Sequence, residues 1–490
     1  MIRNFDRVSS LKKNYFFNLL YQILILSIPL ITTPYLSRVL GADKIGEYSF
    51  AQSIVSYFML FAVLGTSLYG QREIAYEKAK NGNVAKTFIE IAVVRCIGVL
   101  LCVLGYCVLV VPNIENHLLY LVASIELLAT AFDISWFYQG IEEFQNITIL
   151  NGISKILGTV FIFIFIESAN DLELYVTFYC GAILIGNVFQ WIILPRYIKI
   201  KRIHSFKILI HVKKSIRLFV SQLAIQLYTV LDKTMIGVIT KSNFENGYYE
   251  QSQKVVKMTT TIVTAIGAVM ASRIATLYGD GYEKNMEKIR HLLELSFRLV
   301  FCMSLPITFG IILIASRFVP VFYGSGYEKV IPMISMLSVI VPAVGTSNII
   351  GIQLFVPSNR EKLLTQSVIV GSCVNIILNF FLISRYGAIG AVIASIVAEY
   401  SVTIVQIYLA RKEISCKRIM GLFIRYLTFS IIMFIIGGMV SNNVTTGIRG
   451  MLIIVVACIL IYGVELIICK DPIIKQFFEI KGEKGEKNEV

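Results

Sequence analysis

Residues 41–53, GADKIGEYSFAQS, follow the first long apolar stretch of the chain, and residues 242–254, SNFENGYYEQSQK, follow the seventh. Aligning Gly46 with Gly247 also brings Tyr48 onto Tyr249 and Gln52 onto Gln253. Gly and Tyr are common at membrane interfaces, so interfacial composition alone is one account of the match. Placed at equivalent points of two successive sets of six apolar stretches, it also reads as a parallel repeat about an axis along the membrane normal.

Working outward from that pair, apolar stretches recur at about 14–36, 46–69, 86–111, 117–138, 146–167, 172–194, 216–240, 248–272, 291–315, 329–350, 364–384, 388–410, 421–440 and 448–468. Each is long enough to cross about 30 Å of hydrocarbon at about 1.5 Å per residue. The composition agrees: 56% of the 490 residues are hydrophobic and only 16% charged, against roughly a quarter charged in soluble domains. The expected fold is all-α, a polytopic membrane protein of about 14 transmembrane helices. It divides into an N-terminal six-helix lobe (1–205), a C-terminal six-helix lobe (206–415), two additional transmembrane helices (416–470) and a charged cytoplasmic tail (471–490).

Lys and Arg gather on the N-terminal segment, on alternate connections from there and on the C-terminal tail, which predicts both termini in the cytoplasm. The longest polar interruption, around Pro195 to Arg217, is the most basic of these connections. The net charge of +14 therefore follows from topology and contact with anionic lipid headgroups, and calls for no nucleic acid. The N-terminus leads straight into the first stretch and reads as uncleaved. Nine cysteines without a CxxC pair and four scattered histidines imply no disulfide framework, metal site or cofactor. No catalytic motif appears, and an enzyme is not expected.

Charges inside the apolar stretches are the informative residues, because each costs several kcal/mol near the bilayer centre. Glu90 and Arg425 lie within a turn of the cytoplasmic ends and read as snorkelling; Arg95 and Arg298, two turns in, read equally as snorkelling or functional. Lys155 lies about 13 Å deep. Lys254 and Lys257 share one helix stripe, with Glu250 one turn before Lys254. Lys233 adjoins Asp232, and neighbours at i and i+1 diverge too far to pair on one helix. The acids are Glu126, Asp133, Asp232 and Glu399, charge partners or ion-coupling sites. Cations outnumber acids, so a wet, basic interior for an anionic ligand is expected, and with two repeated halves and no catalytic motif the simplest class is a transporter. Pro29 and Pro34 are expected to kink or unwind the first helix, and Pro306, Pro332 and Pro342 the ninth and tenth.

Several segments resemble the polysaccharide flippase branch of the multidrug/oligosaccharidyl-lipid/polysaccharide exporter superfamily: TPYLSRVLGADKIGEYSFAQS (33–53), YGQREIA (69–75), DISWFYQGIEEF (133–144), LDKTMIG (231–237), ASRIATLYG (271–279) and NIILNFFLISRYGAIGAVIASIVAEY (375–400). Their order and spacing carry the likeness. The resemblance implies two six-helix lobes in a V, and a polyprenyl-diphosphate-linked oligosaccharide as the substrate moved between leaflets. Arg38 and Arg72 also come into question as contacts to it, although each sits at the end of a stretch, where snorkelling accounts for it. The further partners implied are membrane lipids and polysaccharide assembly proteins, for a chain acting as a monomer. Trp136, Phe137 and Tyr138 would stack on sugars or, more plainly, form an interfacial aromatic belt. Related readings are a lipid II-type flippase and a drug or cation antiporter, although the first stretch lacks the carboxylate that such antiporters carry there. A membrane polymerase or glycosyltransferase would need larger outward loops than this chain has.

Overall fold

The computed structural model describes residues 7–198, 207–279 and 282–473. Among these the chain is helical, with no strand. By contacts it divides into two compact units, Met1–Gly247 and Tyr248–Val490.

The first unit contains α1 (Arg7–Val39), α2 (Gly41–Val63), α3 (Thr66–Ala79), α4 (Val84–Leu109), α5 (His117–Phe132), the short α6 (Ser135–Gly140), α7 (Phe144–Phe165), α8 (Leu172–Ile193) and α9 (Ile208–Thr240). α2 and α3 read as one apolar stretch but are separated by a left-handed turn at Leu64 and Gly65, with φ of 47° and 73°. Gly65 also lies so close to α9 that a Cβ there would sit 2.7 Å from the carbonyl of Ser215. One apolar core joins α1, α2, α4, α5 and α8 through residues such as Leu36, Tyr48, Val55, Tyr106 and Tyr120. A second, aromatic core joins α3, α4, α6 and the end of α8. The division by contacts falls after α9, later than the repeat boundary at 205/206, because α9 packs against α2, α3 and α4.

α10 (Asn243–Gly279) begins in the first unit and continues into the second. The second unit goes on with α11 (Tyr282–Phe322), α12 (Val330–Leu337), α13 (Ile340–Asn348), a π-helical turn at Ile349–Phe355, α14 (Glu361–Tyr386), α15 (Ala388–Leu409), α16 (Cys416–Asn442) and α17 (Ile448–Ile468). α14 and α15 form its closest pair. Small residues allow it: a Cβ on Gly371 would meet Val402 at 2.3 Å, and one on Gly390 would meet the Leu382 carbonyl at 2.2 Å.

Every expected apolar stretch falls on helix, but the count of 14 membrane spans is not established. Among the described residues, 11 helices are long and apolar enough to cross a membrane, or 12 if the bent pair Asn243–Ala265 and Met270–Gly279 is one span. The prolines act unevenly. Pro29 and Pro34 sit inside an unbroken α1, and Pro306 inside an unbroken α11. Around the α1 prolines, Thr32, Ser37 and Arg38 side chains donate to the carbonyls of Ile28, Thr33 and Pro34. The tenth stretch is interrupted as expected, into α12, α13 and the π turn.

The first glycine pair gains a geometric meaning. A Cβ on Gly46 would fall 1.7 Å from the carbonyl oxygen of Asn243, and one on Gly247 would fall 2.0 Å from that of Ala42. Each glycine thus faces the residue four before the other, a reciprocal close crossing that only glycine permits.

Candidate functional site

The charged residues of the first unit are held by specific bonds. Arg95 on α4 is 2% exposed. Its Nε donates to the Thr130 carbonyl at 2.7 Å, Nη1 to Ser67 Oγ at 3.2 Å, and Nη2 to Asp133 Oδ2 at 3.0 Å. Asp133 ends α5, and its other oxygen accepts the backbone N–H of Ser135 at 3.0 Å and the Ser135 hydroxyl at 2.5 Å. One carboxylate therefore fixes the start of α6 and compensates a buried guanidinium, which would otherwise be costly. Glu126 on α5 is hydrogen-bonded by the Gln52 side chain of α2.

α6 carries Trp136, Phe137 and Tyr138, all almost fully enclosed. They form neither a belt nor a sugar platform. Trp136 stacks on Phe88 at 5.4 Å and lies against Gly70, where a Cβ would come within 2.4 Å of its ring; Tyr138 donates to the Gln190 carbonyl at 2.5 Å. The reason is that α6 turns inward after Asp133 and packs on α3.

Lys155 on α7 and Lys233 on α9 are half-buried, and Asp232 is buried; all three engage in polar or electrostatic contacts. Next to them, Thr234 donates to Ser53 Oγ at 3.0 Å and to the Tyr57 hydroxyl at 3.2 Å. Arg38 is exposed, with Nη1 bonded to the Pro34 carbonyl at 2.9 Å, and Arg72 is exposed.

In the second unit, Lys254 pairs with Glu250 at 3.6 Å, the i,i+4 geometry of one helix face. Lys257, on the next turn, is exposed, and its backbone carbonyl accepts the hydroxyls of Thr260 at 2.9 Å and Thr261 at 2.8 Å. Arg298 on α11 has an enclosed Nη1 with no hydrogen-bond partner. Glu399 on α15 is half-buried and engaged. Within its own unit each set supplies fixed positive charge beside hydroxyls and amides, suited to holding an anion.

Three features escaped the sequence. Glu90 does not snorkel: it is 4% exposed, with Oε2 on His211 Nε2 at 2.9 Å and Oε1 accepting the backbone N–H of Lys207 at 2.7 Å. His211 Nδ1 meets the Tyr69 hydroxyl at 2.8 Å, completing a buried Tyr–His–Glu chain over α3, α9 and α4. Arg425 pairs with a fully buried Asp471 at 3.0 Å. Glu465 on α17 has both carboxylate oxygens enclosed without a hydrogen-bond partner. Glu90 and His211 lie too far apart in sequence for any local pattern to join them.

Residues 11–275 match the profile of the "Polysaccharide biosynthesis protein" family, more than half of the chain. The chain belongs to this family. Residues 147–458 also match the profile "Lipid II flippase MurJ". A "Putative O-antigen transporter" of Shigella dysenteriae is 22% identical over 76% of the chain and 92% of its own length. The protein of the same name from Escherichia coli (strain K12) is 23% identical over 82% of the chain and 97% of its own length. Among solved structures, the inward closed conformation of lipid II flippase MurJ superposes with a TM-score of 0.74 at 17% identity, covering 93% of this chain and 100% of that one. An inward-facing multidrug resistance MATE transporter of the MOP superfamily gives 0.53 at 14% identity, over 81% and 98%. At those identities the superpositions show the fold. Together the matches identify a multi-pass membrane protein, a lipid-linked polysaccharide flippase. In this flippase the DISWFYQG segment is a buried corner of the first unit, tied to Arg95 and the aromatic core.

Proposed function

We propose that the protein carries a polyprenyl-diphosphate-linked oligosaccharide repeat unit from the cytoplasmic to the outer leaflet by alternating access, for cell-surface polysaccharide synthesis. The observation that carries this reading is the match to the two O-antigen transporter relatives over 92% and 97% of their lengths. The chemistry supports it. A diphosphate is a compact multiple anion, and Lys155, Lys233, Lys254, Lys257 and Arg298 supply cations on membrane helices in both units. Arg38 and Arg95 belong to the same basic set; Arg95 acts through Asp133, as a positioning residue. Asp232, Glu399 and Glu126 are the acids placed to couple an ion or to hold these cations. The basic alternate connections put both termini in the cytoplasm.

The profile match over 147–458 favours one second reading, a peptidoglycan precursor as cargo, which presents the same polyprenyl diphosphate. Deleting the gene in its host separates the readings. A repeat-unit flippase leaves lipid-linked oligosaccharide on the cytoplasmic face and depletes surface polysaccharide, with the cell wall intact. Lysis with lipid II accumulation would favour the second reading. Normal surface polysaccharide accompanied by drug sensitivity would overturn both.

A further inference from the structure

At the end of the second unit where α11 begins and α15 hands over to α16, a cavity of about 300 Å³ is lined by apolar and basic side chains together. Its floor is Leu293, Phe297, Ile414 and Ile419, all buried. Its rim holds Arg290, Lys412 and Arg418, all exposed. The two acids of the lining are both in ion pairs: Glu294 with Arg418 at 3.3 Å, and Glu413 Oε1 with Arg360 at 2.8 Å, its Oε2 enclosed without a hydrogen-bond partner. Arg290 donates from Nη2 to the Lys412 carbonyl at 3.1 Å, which fixes the guanidinium at the rim. Neither Arg290 nor Lys412 has a carboxylate within ion-pair distance among the described residues. Two positive charges therefore remain over an apolar floor.

The backbone adds to this. α16 runs for 27 residues from Cys416, and its N-cap, Ser415, lines the cavity without bonding the first turn. The free N–H groups and the positive end of the helix dipole favour an anion there. Met420, the residue after the lining Ile419, and Ile424 one turn on are exposed apolar residues of α16, at the start of the stretch that runs through the membrane. A basic rim, an apolar floor and an apolar path along one helix complement an amphiphile with a phosphate head and an acyl chain.

We propose that this cavity binds the phosphate headgroup of an anionic membrane phospholipid, with Arg290 and Lys412 on the phosphate and the first part of an acyl chain along Met420 and Ile424. The cavity volume is at the low end of small-ligand sites, adequate for a headgroup. The same cations would attract free phosphate, but free phosphate makes no use of the exposed apolar Met420 and Ile424.

The test uses the full-length protein in detergent, with native mass spectrometry of adducts formed with phosphatidylglycerol, phosphatidylcholine or inorganic phosphate. Phosphatidylglycerol should bind in preference to phosphatidylcholine, and the Arg290→Gln/Lys412→Gln double variant should bind it on the order of tenfold more weakly. The charge-matched double variant Lys213→Gln/Lys362→Gln, at exposed positions elsewhere, should bind it as the parent does. Equal loss in both double variants, or no loss in either, would overturn the site. Inorganic phosphate displacing the lipid at equal concentration would overturn its lipid source. Met420→Gln, which keeps the rim intact, should weaken phosphatidylglycerol and leave phosphate adducts unchanged; an unchanged lipid adduct would count against the chain path.

Discussion

Removing either member of the Arg95–Asp133 pair should have unequal effects, and the structure sets the order. Arg95 is 2% exposed, and Asp133 is its only carboxylate partner among the described residues. Asp133→Ala therefore leaves a buried guanidinium uncompensated, which costs about 3–5 kcal/mol. Arg95→Met removes the buried charge along with its bonds. The acid left behind keeps 27% of its side chain exposed and its two bonds from Ser135, so the cost should be about 1–3 kcal/mol. The double variant has no charge left to strand and should be about as stable as Arg95→Met alone, a coupling equal to the whole cost of Asp133→Ala, about 3–5 kcal/mol.

The assay is built into the chain. Its two tryptophans are Trp136 and Trp191, both in the first unit, and Trp136 lies in the core that α6 forms. Denaturant unfolding in mixed micelles followed by tryptophan fluorescence therefore reports on the unit that contains the pair. If Asp133→Ala costs no more than Arg95→Met, or if the double variant shows the sum of the two losses, the claim that Asp133 compensates a buried Arg95 is refuted.

Four further outcomes follow from the geometry. Gly46→Ala and Gly247→Ala should each prevent stable accumulation in the membrane, because a Cβ would lie 1.7 or 2.0 Å from a backbone oxygen, whereas Gly310→Ala, inside α11 with open space around it, should be neutral or stabilising by up to about 1 kcal/mol; detergent-extracted yield and thermal stability decide it. His211→Ala strands Glu90 and Tyr69 and should cost about 1–3 kcal/mol; hydrogen exchange at residues 208–215 should speed up, while Leu209→Ala, at an exposed site, should leave it unchanged. Trp136→Ala should destabilise the first unit by about 3–5 kcal/mol, measured through the remaining Trp191. Lys155→Ala or Lys254→Ala should abolish transport with the protein still in the membrane; full transport by both would remove the cationic mechanism.

The helical class was legible because apolar stretches of membrane length leave no alternative, and Gly46 and Gly247 stood out because a repeat preserves the places where backbones touch. Helix continuity was less legible. Pro29, Pro34 and Pro306 do not break their helices; the Cys302 carbonyl that Pro306 frees accepts the Tyr462 hydroxyl of α17 at 2.9 Å, a partner that residue type alone does not reveal. Glu90 was misjudged for a different reason. Depth along a helix says how far a side chain is from water in a lone helix, but α9 arrives from 121 residues away and covers it with His211. Trp136 failed similarly: its interfacial position fits a belt until α6 folds back on α3. Local periodicity carries which residues are apolar, whereas the partner that encloses a residue belongs to the tertiary fold.

The same distinction decides how far charge counting can support an anion site. Counting Arg95, Lys155, Lys233, Lys254, Lys257 and Arg298 against Glu126, Asp133, Asp232 and Glu399 gives a basic interior. Glu250, expected one turn before Lys254, does pair with it at 3.6 Å, and the structure adds the enclosed Glu465; with both, the formal excess disappears. Net charge therefore cannot carry the argument, and position must. Arg95 is spent on Asp133, and Glu465 lies on α17, outside both sets of six helices. Lys257 has no carboxylate within ion-pair distance among the described residues and is exposed, while the hydroxyls of Thr260 and Thr261 bond its backbone carbonyl. An anion passing α10 would meet that ammonium at full charge, while Lys254, one turn earlier, would first have to release Glu250. On the proposed function, Lys257 is the diphosphate contact to expect on this helix, ahead of Lys254, which Glu250 already holds.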